Sequence, residues 1–285
     1  LYPEMSHSSR ADILGHFGEN ILSFNAKTDL GIAIKSNITR KPFSDRSDLS
    51  GEIKTWDEYK SYVAQLSKSE YLYRGQSKPW KLRTSFHRRG RYNLTRFLTH
   101  DIPRLHQRLT ARTKHVFNLD NPKENGAFFI LAQNHGYPTP LLDWTYSPYV
   151  AAFFAFRNVP KNPVGSDPVR IFILNQKKWK TDLNQLVMLN TAGLHLSILE
   201  FLAIDNERLI PQQGATTVTN IDDIETYVSM RENELKCKYL WAVDIPLSER
   251  DKAIEELSYM GITAGSLFPG LDGVCEELRE KFFDK

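Results

Sequence analysis

The stretch QNHGYPTPLLDWTYSPYVAAFFAF, residues 133–156, has the densest pattern in the chain. Its glycine and two of its prolines come just before the short apolar run at residues 141–145, which is limited on its other side by Ser147 and Pro148. Serine followed by proline is a typical helix start, because the serine side chain caps free N–H groups and proline suits the first helical position. The following residues up to 156 are apolar on all sides, which predicts a buried helix.

Periodic apolar residues on both sides of this stretch predict further elements. Thr55 and Glu58 form a capping-box pattern ahead of an amphipathic helix over residues 56–67. Further along the chain we expect a helix interrupted at Pro103, a helix from Asn121 to Gly136, strands at 169–174, 238–245 and 262–268, and helices at 248–260 and 271–283. Strands and helices interleave irregularly, which indicates an α+β or mixed α/β fold.

The first 52 residues differ from the rest of the chain. They contain no long apolar periodicity, and FSDRSDLSGEI within them has a loop-like composition. We therefore expect a partly ordered N-terminal extension over residues 1–52 and one main domain over residues 53–285.

The composition is that of a globular protein, with 285 residues, 41% hydrophobic and 25% charged. It excludes a collagen, a coiled coil, a disulfide miniprotein and a fully disordered chain. The longest apolar run, residues 149–156, is far shorter than the ~20 residues that span a bilayer, and the first residues lack a secretory-signal pattern. Cys237 and Cys275 form no zinc or CxxC pattern, so we expect free thiols in a reducing cytoplasm.

The net charge of +3 hides a strong asymmetry. Residues 74–114 contain twelve lysines and arginines against one acid, whereas residues 200–285 contain nine basic and eighteen acidic residues. So dense a basic block is typical of a surface that meets phosphates, in a nucleotide, a nucleic acid or an acidic partner. A solvated helix face balanced by the acidic C-terminal part explains the pattern equally well.

Two short motifs supply candidate ligand-binding residues. In YRGQ, residues 73–76, the aromatic residues before the glycine predict a short strand that ends in a turn. Arg74 could present its guanidinium to a phosphate or a carboxylate there, or be a surface arginine in a turn. Gln133 and His135 could line a pocket, or cap the C-terminus of their helix.

Asp143 stands between apolar neighbours, so we expect it to be partly buried and therefore paired. Arg74 could be its partner, in a structural or a catalytic role. Thr145 and Ser147 lie just ahead of a helix N-terminus, where hydroxyl and free N–H groups favour an anionic or amide ligand. Gln212 and Gln213 could bind a ribose or a carboxamide, or belong to an ordinary turn. No metal-ligand spacing is seen among the eight histidines.

In their order along the chain, these segments resemble the FRG domain family, which is named for a Phe-Arg-Gly motif that is Tyr73-Arg74-Gly75 here. The resemblance covers about residues 53–285 and rests on YRGQ, on the stretch 133–156, on RLIPQQGATTV at 208–218 and on MGITAGSLFPGLDGV at 260–274. The family usually has PTRLLDWT, and Pro140 replaces the arginine here, so any role of that arginine is absent or has moved. The resemblance implies bacterial or phage settings of defence, toxin–antitoxin pairs or host interaction.

The same order of motifs is similar to arginine-type ADP-ribosyltransferases. Those enzymes have an arginine on a first strand, a Ser/Thr-rich strand that leads into an Ala-Ala-x-x-Phe helix, and a catalytic glutamate on a third strand. The similarity implies a split sheet flanked by helices. It also implies that Arg74 holds an NAD phosphate and that Thr145 or Ser147 orients the site. Gln213 would stand in place of the glutamate, and glutamine carries no negative charge.

Asp143 or Glu207 could supply the missing charge, or the site could bind NAD-like ligands without turning them over. Our leading hypothesis is a cytoplasmic toxin or antiphage effector that uses NAD as substrate, without a metal or a membrane. It would transfer ADP-ribose to a protein or nucleic acid, or cleave NAD, and a cognate antitoxin could be its partner.

The residues expected to carry this chemistry fall into two groups. The expected catalytic residues are Arg74, Asp143, Thr145 and Gln213. The expected NAD-binding residues are Tyr73, Gly75, Gln76, Gln133, His135, Ser147 and Gln212. The alternatives are a non-catalytic nucleotide- or nucleic-acid-binding module, and a protein–protein inhibitor in phage–host conflict.

Overall fold

The computed structural model describes residues 10–18, 21–39, 44–160, 167–186, 189, 191, 193–199, 204 and 206–283. The chain forms two compact units, Leu1–Asp45 and Arg46–Lys285. The first unit contains a three-stranded antiparallel sheet in the order β1-β2-β3. Its strands are β1 (Ala11–Phe17), β2 (Ile21–Thr28) and β3 (Ala33–Thr39).

This sheet differs from the extension expected over residues 1–52, although part of that extension lies outside the described residues. The boundary also falls earlier, because the residues after Asp45 are held by the second unit. The Leu49 main-chain oxygen accepts a hydrogen bond from Arg170 at 2.9 Å, and residues 51–53 pair with a strand of the larger sheet.

The second unit consists of helices around a seven-stranded sheet. Its strands are β4 (Gly51–Ile53), β5 (Tyr71–Gln76), β6 (Leu141–Thr145), β7 (Val169–Asn175), β8 (Leu196–Leu199), β9 (Gly214–Thr219) and β10 (Leu240–Ile245). Its helices are α1 (Trp56–Ala64), α2 (Ser85–Arg88), α3 (Leu94–Arg96), α4 (Ile102–Leu109), α5 (Pro122–Asn134), α6 (Pro148–Phe156), α7 (Gln176–Asp182), α8 (Ile224–Leu235), α9 (Arg250–Tyr259), α10 (Ala264–Leu267) and α11 (Leu271–Phe282). This arrangement confirms the mixed α/β prediction.

The larger sheet has the strand order β4-β10-β7-β5-β6-β9-β8 and is antiparallel except for the pair of β4 and β10. Strand β5 forms six residue pairs with β7, and β6 forms five with β9. Between β5 and β6 there is a single pair, Tyr73 with Thr145. The sheet therefore diverges between these two strands into two halves.

Local signals place most helix starts as the sequence predicts. Thr55 and Glu58 form the capping box of α1, and Asn121 and Ser147 cap α5 and α6, each followed by proline. Helix α4 begins at Ile102 with Pro103 in its first turn, which agrees with the expected restart of the helix at this proline. A π-helical turn at Phe97–Asp101 joins α3 to α4.

Two predicted strands need correction. Residues 262–268 contain the short helix α10, which Thr263 caps through the N–H of Ser266, and not a strand. Strand β5 does not end in a turn at Gly75 but continues to Gln76. Because a Cβ atom on Gly75 would lie 1.9 Å from the main-chain oxygen of Ala151, this glycine lets α6 pack closely against β5.

The core lies on both faces of the sheet. Helices α1, α6 and α9 pack against β5, β7 and β10 on one face, and α7 and α8 cover the other face of the same strands. A third apolar cluster joins α5 and the segment from α2 to α4 to β6 and β9. Among the described residues, no helix combines the length and apolar character needed to cross a bilayer.

Candidate functional site

A cavity of about 330 Å³ opens where β5 and β6 diverge. The two strands contribute their motif residues to its wall, and the C-terminal end of α5 and one side of α6 complete it together with two later loops. The wall includes Tyr73, Arg74, Gly75, Gln133, Asn134, Asp143, Thr145, Phe154, Arg208, Gln212 and Phe268. The sheet divergence therefore brings together side chains that lie far apart in the sequence.

Arg74, which lies on β5, contributes a cation to the wall of this cavity. Its Nη1 donates to the main-chain oxygen of Asp143 at 2.5 Å, while its buried Nε has no hydrogen-bond partner among the described residues. Desolvation lowers the pKa of Arg74 to about 10; the Asp143 carboxylate opposes this change, and Arg88 adds to it. The guanidinium stays protonated at neutral pH and keeps donor capacity for an anion.

Asp143 is the carboxylate that lines the cavity. Its Oδ1 accepts a hydrogen bond from Gln133 Nε2 at 2.5 Å, and the Thr139 hydroxyl donates in turn to Gln133 Oε1. Water reaches the carboxylate through the cavity, but the surrounding protein desolvates it and raises the pKa of Asp143, against the opposing effects of Arg74 and Gln133. Asp143 was expected to be partly buried and paired, with Arg74 as one candidate partner. Its side chain is exposed toward the cavity and is paired with Gln133, whereas Arg74 contacts its main-chain oxygen.

Thr145 and Gln212 connect the two sides of the cavity. The Thr145 hydroxyl donates to the main-chain oxygen of Gln212 at 2.7 Å and accepts from the N–H of Ser147 at 3.0 Å. The Gln212 side chain donates to the main-chain oxygen of Leu267 at 2.9 Å. The hydroxyl of Thr145 therefore holds the loop before β9 in place.

The structure leaves four predicted site residues outside the cavity wall. Gln213 is exposed with a φ of +46°, and its neighbour Gln212 takes the place in the wall. Ser147 caps α6, and the buried Gln76 amide donates to the main-chain oxygen of Trp80 at 2.7 Å. His135 is the exposed C-cap of α5 and lines a neighbouring cavity.

Sequence reasoning missed an aromatic and cationic wall. The rings of Phe154 and Phe268 meet edge to face at 5.8 Å, and the Arg208 guanidinium lies 5.4 Å from the centre of the Phe268 ring. Arg208 also donates to the main-chain oxygen of Asn134 at 3.3 Å. Arg208 and Phe268 stand in the two C-terminal motifs, 208–218 and 260–274, and Phe154 stands in the stretch 133–156, so the motifs themselves were the available signal.

Glu207, the alternative carboxylate, does not line this cavity. It is exposed and lines the neighbouring cavity of about 590 Å³ together with Arg112 and Lys114. Within the described ranges no group of three or more His, Cys, Asp or Glu side chains could hold a metal ion, and Cys237 and Cys275 are free thiols.

Comparison with known families finds a match that includes part of the cavity wall. The FRG domain family matches residues 69–163, which include β5, α5, β6 and α6 and therefore Arg74, Gln133, Asp143 and Thr145. No match to a curated protein or to a solved structure was found. The chain therefore contains an FRG domain, at residues 69–163.

Proposed function

We propose that this protein binds NAD⁺ in the cavity between β5 and β6, breaks the bond between nicotinamide and ribose, and transfers ADP-ribose to a macromolecule or to water. The observation that carries the proposal is the presence of Arg74, Asp143 and the Phe154–Phe268 wall in one cavity. An anion-binding cation, a carboxylate and flat apolar surfaces are the groups that a charged dinucleotide requires.

Arg74 and Arg208 supply the positive charge for the phosphates. Among the described residues, the buried Nε of Arg74 has no acceptor. Arg208 lies against an aromatic ring that also offers a surface for a base or a nicotinamide. The Gln212 amide lies in the same wall and can hydrogen-bond a ribose or a carboxamide.

Asp143 supplies the negative charge that Gln213 cannot. When the glycosidic bond breaks, its electrons leave with nicotinamide and positive charge develops on the ribose, which a nearby carboxylate stabilises. The acceptor atom then bonds to the ribose carbon and loses a proton. A carboxylate with a raised pKa is better suited to take that proton. Gln133 fixes the carboxylate in place.

The topology gives independent support to an ADP-ribosyltransferase-like arrangement. The sheet diverges between the strand that carries Arg74 and the strand that carries Thr145, and the latter leads directly into the Ala-Ala-containing helix α6. In this proposal the protein acts in the bacterial cytoplasm as a toxin or antiphage effector, and a cognate antitoxin would restrain it.

Incubation of the pure protein with NAD⁺ labelled in its adenylate part, with and without cell lysate, tests the proposal. We expect release of nicotinamide and transfer of label to a macromolecule or formation of free ADP-ribose. Gln212→Ala should raise KM, because the wall then lacks this amide, whereas the neighbouring Gln213→Gly should not change the kinetics. Absence of NAD⁺ binding, transfer and nicotinamide release would overturn the proposal.

A second candidate function, nucleic-acid binding, is favoured by the basic residues that follow β5. Arg104 and Arg108 lie one turn apart on α4, and Arg112 and Lys114 line the cavity of about 590 Å³, which also borders the first cavity. These four cations are exposed and form no ion pair within the described part of the chain. Exposed cations on a helix and in the segment that follows it suit a phosphate backbone.

Binding of a single-stranded RNA oligonucleotide, measured by fluorescence anisotropy at several salt concentrations, tests this second function. We expect the affinity to fall steeply with salt, and the double variant Arg104→Gln/Arg108→Gln to reduce the slope by about 0.7 for each phosphate that is no longer neutralised. The charge-matched control Lys68→Gln/Lys281→Gln, at exposed positions elsewhere, should keep the wild-type slope. Binding that does not respond to salt would contradict this candidate.

A further inference from the structure

A second, smaller cavity of about 150 Å³ lies on the other side of Arg74. Three arginines line it, Arg74, Arg83 and Arg88. It shares Arg74, Gln133 and Asp143 with the first cavity, so these three side chains form the partition between the two spaces.

The three guanidinium groups differ in their existing partners. Arg83 is buried and its Nε donates to the Asp222 carboxylate at 2.5 Å, which fixes its position. Arg88 donates through Nη2 to the neutral side-chain oxygen of Gln76 at 3.1 Å. Arg74 keeps the buried Nε without a partner among the described residues. All three arginines therefore line the small cavity while hydrogen-bonded to other parts of the fold.

Asp143 is the one carboxylate among the described residues that line the small cavity, and it stands against three guanidinium groups. Its Oδ1 already accepts from Gln133. The proximity of Arg88 lowers the pKa of Arg74, after the larger effect of desolvation, so two of the cations repel each other across this space. A bound anion would relieve that repulsion.

We propose that the small cavity is a phosphate-binding subsite, in which Arg74 and Arg88 bind one phosphate group of the nucleotide that occupies the first cavity. The volume can hold a phosphate or a pyrophosphate, and the arginines in the lining favour an anion over a neutral nucleobase. Planar guanidinium groups that approach from different directions match a group with several oxygen atoms. The inference rests on the proposed function in one respect, that the ligand of the first cavity is a phosphorylated nucleotide. It does not require that the protein turn the nucleotide over.

Calorimetric titration with inorganic phosphate, inorganic pyrophosphate and ADP-ribose tests the subsite. The variants are Arg88→Gln, Arg88→Lys and Arg89→Gln. Arg89 is the matched control, because it is an exposed arginine next to Arg88 that does not line the small cavity. Arg88 is also exposed, so thermal melting should show that all variants keep the fold.

We expect pyrophosphate and ADP-ribose to bind the wild type and Arg89→Gln alike, and Arg88→Gln about ten-fold more weakly. Arg88→Lys should fall between them, because it keeps the charge and lacks the fork. Preference for ADP-ribose over the inorganic ions identifies a nucleotide phosphate as the ligand, whereas tighter binding of inorganic phosphate overturns that assignment.

Equal weakening in Arg88→Gln and Arg89→Gln, or no binding of any of these anions, overturns the subsite. Failure of the subsite and failure of the proposed function are distinguishable. Arg88-dependent pyrophosphate binding without NAD⁺ cleavage retains the subsite and rejects the enzyme. NAD⁺ cleavage at the same rate in Arg88→Gln and in the wild type retains the enzyme and rejects the subsite.

Discussion

Replacement of Asp143 by asparagine is expected to lower the rate of NAD⁺ cleavage, as kcat/KM, by about 10²–10⁴-fold. The reason is that Asp143 is the carboxylate in the wall of the cavity, facing the space where positive charge develops on the ribose. Asparagine has nearly the same shape and can still accept the hydrogen bond from Gln133, so the decrease isolates the negative charge. Nicotinamide release measured at saturating and at limiting NAD⁺ separates the effect on kcat from that on KM.

The same substitution should stabilise the fold at neutral pH. Desolvation raises the pKa of Asp143 in the folded chain, so the folded state binds this proton more tightly than the unfolded state does. The stability that the protonated form contributes is therefore complete below the unfolded pKa and is lost as the pH rises through the folded pKa. Because asparagine cannot ionise, the Tm of Asp143→Asn relative to wild type should increase between about pH 4 and pH 7.

Glu207→Gln is the matched control, because Glu207 was the alternative carboxylate and lies outside the cavity wall. It should retain wild-type cleavage at all NAD⁺ concentrations. If Glu207→Gln lost activity and Asp143→Asn kept full activity, Glu207 and not Asp143 would be the carboxylate that stabilises the ribose. A Tm difference that does not vary with pH would contradict the proposed environment of Asp143.

The parts of the fold that follow from local chemistry were predictable from the sequence. The caps at Thr55, Asn121 and Ser147 act within three residues of themselves, so their residue types alone predict where α1, α5 and α6 begin. The convergence of the two central motifs, whose residues Tyr73 and Thr145 pair on adjacent strands, was expected from the resemblance to known families and not from local chemistry.

Features set by distant parts of the chain were not predictable in this way. Gln212 and Gln213 are adjacent and identical in type, but Gln213 has a left-handed backbone and is exposed, whereas Gln212 lies in the wall. Phe268 reaches the cavity because α10 is a capped helix, whereas its apolar sequence suggested a strand. In both cases the chain geometry, and not the residue type, selects the site residue.

The three-stranded sheet of the first unit was missed for a related reason. Its strands mix apolar and polar residues, and Ile13, Leu14 and Ile34 are exposed in the structure, so no half-buried alternation marks the strands. Pairing between neighbouring strands creates this sheet, and pairing leaves little trace in a single sequence.

Replacement of Gly75 by alanine is expected to destabilise the second unit by about 3 kcal/mol. An added Cβ would lie 1.9 Å from the main-chain oxygen of Ala151 and 2.7 Å from the main-chain nitrogen of Ala155. Both atoms belong to the backbone of α6, which cannot rotate away as a side chain can. Helix α6 would therefore have to move as a whole, although Ala151 and Ala155 are themselves fully buried.

That movement would also change the cavity, because Phe154 of α6 lines it opposite β5. Thermal unfolding measures the first effect, and a destabilisation of this size corresponds to a fall in Tm of about 6–12 °C for a unit of this length. NAD⁺ cleavage well below the melting range measures the second. Gly193→Ala is the control, since an added Cβ at that glycine meets no atom within 4 Å and should leave both measurements unchanged.

A Gly75→Ala variant with the wild-type Tm would show that α6 can withdraw from β5 without cost. The glycine of the Tyr-Arg-Gly motif would then act through its backbone conformation and not through packing. If the Tm of Gly75→Ala falls as expected, packing explains the glycine of the Tyr-Arg-Gly motif. Gly75 brings α6 against β5, and the same strand then presents Arg74 at the edge where β5 and β6 part.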